Sequence, residues 1–113
     1  MRIVNLTNNN VICENCGLAD TLITRTVGLI GKKKLDKDEG LLITGCRSIH
    51  SCFMAFPICA IFIDKSNKVV KVIENFKIWR ISGWYIKADR VIELPPMRAS
   101  ETLTKKGDKL AIE

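Results

Sequence analysis

The chain has no apolar stretch of the roughly 20 residues that a membrane helix requires, and no internal repeat, low-complexity tract or linker. Its uncharged segment from Ser48 to Ile63 is only sixteen residues long and contains Ser48, His50, Ser51 and Pro57, which speaks against a bilayer span. The opening residues, MRIVNLTNNN, lack the continuous apolar core of a secretory signal, so a cytoplasmic protein without a membrane partner is expected. There is one histidine, and one Cys-x2-Cys pair where a strong structural-zinc signature would have two. No nucleophile elbow or comparable catalytic signature is present. No groove-binding motif accompanies the basic excess, so nucleic acid is not an expected partner.

What is present is a chain of 113 residues, 47% hydrophobic and 27% charged, enough for a single domain over 1–113 that closes its own core. The net charge of +6 is dispersed: Lys32, Lys33 and Lys34 form the only run of three, placed just after a predicted helix, where cations suit the negative end of the dipole. Five cysteines are an odd number, so a disulfide framework would leave one over, and reduced thiols are the expectation.

Ile3–Leu6 and Asn10–Cys13 read as short strands around an Asn-rich turn. Ala19, Leu22, Ile23, Thr26, Val27 and Ile30 follow the spacing of a helix face, and Gly31 would end that helix. Further strands are predicted at Leu41–Ile43, Ile58–Ile63, Val69–Ile73, Phe76–Ile81, Trp84–Lys87, Arg90–Leu94 and Lys109–Ile112, with a helical turn at Met97–Leu103. The run Ile58-Cys-Ala-Ile-Phe-Ile63 is apolar on both faces, as in a strand covered on both sides or closing a barrel. The expected fold class is α+β, mostly antiparallel β and barrel-like, with one main amphipathic helix.

Several segments recur together in one order: Arg25-x2-Gly28-Leu-Ile-Gly31-Lys32, Glu39-Gly-Leu-Leu-Ile43, Ser48-Ile-His50 through Met54 to Pro57-Ile58, Phe62-Ile-Asp64, Val91-Ile-Glu-Leu-Pro95 and Gly107-Asp108. In this the chain resembles the family called domain of unknown function 192, from about Ala19 to Ile112. The resemblance implies a small β-rich fold with a shared surface near the His50–Met54 turn, and no activity. Two positions depart from the pattern: Cys59 stands where relatives usually carry Asp, and Pro96-Met97 where they usually carry Ala-Gly.

Two readings of the chemistry come from different classes. The leading one is a binding module presenting a site near the His50–Met54 loop to a small molecule or peptide, with binding residues Arg25, His50, Phe53 and Met54. Phe53, Met54 and Phe56 share that loop, and Trp79, Trp84 and Tyr85 the later one, so they line a groove if the loops meet or plug the barrel if not. Arg25 could hold an anionic group at the rim, or pair with Asp64, Glu74 or Glu93 and fix the helix on the sheet. The second reading is a thiol- or metal-dependent enzyme using Cys46 or Cys52 with His50, the imidazole oriented by Asp64 or Glu39. A third possibility is a zinc-stabilised domain in which Cys46, His50 or Cys52 converges on Cys13 and Cys16. Cys13 and Cys16 are also open to reading as a redox pair or as two reduced thiols.

Overall fold

The computed structural model describes all residues from Met1 to Glu113. Its organising element is the strand β5 (Ile58–Ile63), in which every residue is buried. Side chains alternate across a strand, so Ile58, Ala60 and Phe62 enter one apolar core while Cys59, Ile61 and Ile63 enter another. The strand is apolar throughout because both of its faces are covered.

The remaining elements are β1 (Ile3–Asn5), β2 (Asn10–Cys13), β3 (Asn15–Ala19), α1 (Leu22–Val27), β4 (Glu39–Thr44), β6 (Val69–Phe76), β7 (Arg90–Leu94), α2 (Arg98–Glu101) and β8 (Leu110–Ile112). They form a three-stranded sheet, β2-β1-β8, and a five-stranded sheet, β3-β4-β7-β5-β6. All pairings are antiparallel except β3 with β4. The first core lies where Ile3, Ile12 and Leu110 of the small sheet and Ala99 of α2 meet Ile61, Ile92 and Leu94 of the large one. On the opposite face, Leu29, Ile49 and Met54 from irregular segments cover Ile43, Phe62 and Val91. The protein is therefore an α+β, mostly antiparallel molecule in three layers.

The barrel expectation is corrected: the strands divide between two sheets and no closed sheet forms. The lone parallel pairing explains part of this. β3 runs alongside β4 as an edge strand, with Asn15 opposite Glu39 and Ala19 opposite Ile43, and no further strand pairs with it.

The main amphipathic helix is corrected as well. Residues predicted as one helix face are shared among three structures: Ala19 ends β3, Leu22–Val27 form α1, and Ile30 follows it. α1 has six residues and buries none of them; Leu22 and Ile23 are each 75% exposed. It is held by its own cap, in which the Thr21 hydroxyl accepts from the Thr24 N–H and the Thr24 hydroxyl accepts from the Thr21 N–H. Gly28, not Gly31, ends it, at φ 52°. The chain then turns inward and buries Leu29, which lies off the predicted stripe.

The expected hairpin of Phe76–Ile81 with Trp84–Lys87 does not form. Phe76 ends β6, and the following residues lie as an irregular lobe on the 47–51 segment. Buried Ser51 replaces the missing strand partner: its N–H donates to the Arg80 carbonyl at 2.9 Å, and its hydroxyl accepts from the Arg80 N–H at 2.9 Å. Ser82 repeats the device, its hydroxyl accepting from the Ile49 N–H at 2.9 Å. By contrast the Asp64–Lys68 turn forms as expected, with Asn67 at φ 64° and the Asp64 carboxylate accepting from the Ser66 and Lys68 N–H groups.

Both family departures have a structural setting. Cys59 is sealed in the first core, where burial pushes its thiol up to about 12, and it faces the Ala99 and Arg98 N–H groups at the start of α2. Met97 adopts φ 67°, a left-handed conformation that glycine occupies without a Cβ clash.

Candidate functional site

β7 carries an acid in an otherwise apolar strand. Glu93 faces the same side as Val91, with Leu41 of β4 and Ala60 of β5 opposite it. It is 3% exposed, and its carboxylate opens into a cavity of about 340 Å³ beneath α1 and the 45–54 loop. No protein hydrogen bond or ion pair reaches that carboxylate, and burial alone pushes it up to about 7. A methyl group placed on Gly28 would lie 3.7 Å from its Oε1, so the glycine backbone borders the acid at the end of α1.

Arg25 stands at the exposed rim of the same cavity. It forms neither of the ion pairs expected with Asp64 or Glu74, nor one with Glu93. Its Nε donates to the Thr21 carbonyl at 3.3 Å and its Nη1 to the Thr44 carbonyl at 3.4 Å. The guanidinium lies over Gly45: a Cβ at that residue would come within 2.7 Å of Nη1. Gly45 also sits at φ 58°, so the turn requires it, and a side chain there would push the guanidinium aside.

Of the other predicted binding residues, His50 and Met54 line the cavity, Met54 buried and His50 at its edge. His50 also borders a shallower outer groove with Cys52 and Ile81. Phe53 points away. It is 70% exposed and stacks edge-on against Trp79 with ring centroids 4.8 Å apart. Tyr85 turns inward onto Phe62 at 4.6 Å, so the two aromatic loops meet without forming one shared pocket.

The thiols are not arranged as a Cys-His pair. Cys46 lines the cavity, but its Sγ donates to the Ser48 carbonyl at 3.0 Å, and burial raises its thiol, opposite to what an activated nucleophile needs. The Cys52 N–H donates to His50 Nδ1 at 3.2 Å, so the backbone of Cys52, not its sulfur, engages the imidazole.

The four residues proposed as metal ligands are split. Cys13 and Cys16 are buried in the first core, while Cys46 and His50 border the cavity on the opposite face of the large sheet. No group of three or more His, Cys, Asp or Glu side chains converges as a metal site. Cys13 and Cys16 instead interact with each other, and Cys16 holds its proton more tightly because of its partner thiol and burial.

Sequence reasoning offers Glu93 only as an ion-pair partner for Arg25, not as a site residue in its own right. A signal was available, since a lone acid between Ile92 and Leu94 in a short apolar strand ended by Pro95-Pro96 must enter a core or face a cavity.

Two facing sheets with a pocket on the outer face of the larger one define a two-sheet α+β domain with a lateral cavity. The chain belongs to the domain of unknown function 192 family (DUF192), described as Uncharacterized ACR, whose profile it matches over residues 3–112. No curated protein gives a significant match. Two solved structures share the fold. A protein of unknown function from Novosphingobium aromaticivorans is 18% identical, with a TM-score of 0.81 over 98% of this chain and 82% of its own. A Sinorhizobium meliloti protein, provisionally described as a transcription regulator, is 19% identical, with a TM-score of 0.83 over 97% of this chain and 89% of its own. No helix of this chain is long and apolar enough to cross a membrane.

Proposed function

We propose that this protein is a cytoplasmic small-molecule binding module whose site is the cavity between Glu93 and Arg25, edged by His50 and Met54. The observation that carries this reading is the Glu93 carboxylate, almost wholly buried, facing open space and lacking any protein partner. No side-chain oxygen of the chain is both sealed and unpartnered, so the Glu93 oxygens open onto the cavity, where a ligand that supplies donors offsets their cost of desolvation. The walls from Leu29, Ile43 and Met54 provide apolar contact, the usual composition of a ligand pocket, and the volume lies at the small end of the usual range. Five cysteines, none of them disulfide-bonded, support a reducing compartment.

Native mass spectrometry of gently purified protein tests the reading first, with an organic adduct of low mass, lost on denaturation, as the expected result. Methyl-resolved NMR with a fragment set then locates binding. Resonances of Leu29, Ile43 and Met54 should move while those of Ile61, Ile63 and Leu110 in the other core stay fixed. Fragments that shift Ile81 and Ile49 but neither Leu29 nor Met54 would place binding in the outer groove and overturn the assignment to Glu93.

A further inference from the structure

The cavity is electrically two-ended. Its inner end is Glu93, an acid with no cation to neutralise it, and its rim is Arg25, a cation bonded only to carbonyls. Opposite charges that stabilised only the fold would close on each other, because attraction between them strengthens as distance falls and water is excluded. Here Leu29, Ile43, Ile49 and Met54 contribute apolar wall to the same cavity. The remaining titratable groups on the cavity are Cys46 and His50, both from the loop after β4.

From this arrangement, and resting on the proposed binding role, we infer that the ligand is a small zwitterion: a protonated amine seated on Glu93, a short apolar body, and a carboxylate at the rim held by Arg25. An ammonium group donates up to three hydrogen bonds to a carboxylate that has none. A carboxylate matches the planar fork of a guanidinium. The volume of about 340 Å³ corresponds to about eleven waters, which selects a short ω-amino acid, whose two charges lie at opposite ends of its chain, over a longer peptide. Gly45 then has a role in the site, since a side chain there displaces the guanidinium, whereas one at Gly28 would only reach ordinary contact with the carboxylate.

Calorimetry with β-alanine, 4-aminobutyrate, 5-aminovalerate and 6-aminohexanoate, against hexylamine and hexanoate as single-charge controls, decides the matter. The best-fitting amino acid should bind at least about ten-fold more tightly than either control. Glu93→Gln should remove the contribution of the amine and Arg25→Met that of the carboxylate, each protein first checked for native dispersion by NMR. Binding at pH 7 should also release up to about half a proton, read from buffers of different ionisation enthalpy, because the ammonium draws Glu93 into its charged form. Hexylamine binding as tightly as every amino acid would remove Arg25 from the site, and hexanoate binding tightest would reverse the polarity; either overturns the inference. If no amino acid binds but apolar fragments still shift Leu29 and Met54, the zwitterion is wrong and the pocket stands. If no fragment binds there either, both readings fall.

Discussion

Glu93 binds its proton more tightly in the folded chain than in the unfolded one, because burial lifts its carboxyl to about 7 from the roughly 4.3 of an exposed glutamate. Between those values the folded state holds more protons, so stability falls as pH rises through this window and levels off above about 7. The swing is on the order of 3 kcal/mol. Asp64 acts with the opposite sign at lower pH, since the Lys68 and Ser66 N–H groups hold its carboxyl below the usual range. Urea unfolding at pH 5 and pH 8 should show wild type losing stability at the higher pH, and Glu93→Gln largely freed of that loss. Equal slopes for the two proteins would mean that Glu93 is not desolvated as described. Met97 carries a second residue-scale prediction. It holds φ 67° and is 45% exposed, so Met97→Gly relieves backbone strain at the cost of a side chain that is only partly covered. A gain of about 1 kcal/mol is expected, seen as a rise of about 4 °C in thermal melting.

Among the elements, most core strands and the short turn of α2 were legible in the sequence, whereas β3, the irregular lobe after Phe76 and the true extent of α1 were not. Alternation works where a strand has two distinct surroundings, and the unbroken apolar run of β5 works because both of its faces are covered. The helical spacing from Ala19 to Ile30 misled because a strand end, one short helix and a turn placed apolar residues at that spacing by coincidence. Periodicity reports which residues are apolar, and only tertiary contact decides which of them are buried: Leu22 is exposed while Leu29 is not. The family segment Gly107-Asp108 gains its reason at this scale. Buried Asp108 accepts from Asn5 Nδ2 at 2.9 Å and from the Lys105 N–H at 3.0 Å, while Asn5 Nδ2 also donates to Thr104 at 3.1 Å. This network fastens β1 to the turn before β8, its neighbour in the three-stranded sheet. Asp108→Ala leaves the Asn5 amide and a backbone N–H short of an acceptor, so a loss of about 2 to 3 kcal/mol in chemical unfolding is expected. A loss of only a few tenths would mean that water replaces the carboxylate and that the network is not sealed.

For the whole molecule, counting strands suggested closure, but closure depends on which edges meet, and no local pattern encodes the parallel docking of β3 beside β4. The candidate site was half legible for a related reason: His50, Met54 and Arg25 were found through their residue types and the family segments, whereas the apolar setting of Glu93 marks it as enclosed without saying that the sheet, α1 and the 45–54 loop leave a cavity in front of it. The layered arrangement makes a prediction through the cysteines, which lie at three depths. Cys52 and Cys46 are partly exposed in the outer layer, Cys13 and Cys16 are in the first core, and Cys59 is at its centre on β5. Pulsed alkylation in rising urea, read by mass spectrometry, should modify Cys52 first. Cys46 follows through local opening of the loop, and Cys59 reacts only along the global unfolding curve, since its access requires parting the two sheets. A ligand in the cavity should slow Cys46 at low urea, where Cys59 is not yet reactive, because it closes the outer layer without touching the first core. Cys59 reacting in step with Cys46 in the absence of urea would show that the sheets separate as readily as the loop opens, and the three-layer account of this fold would fail.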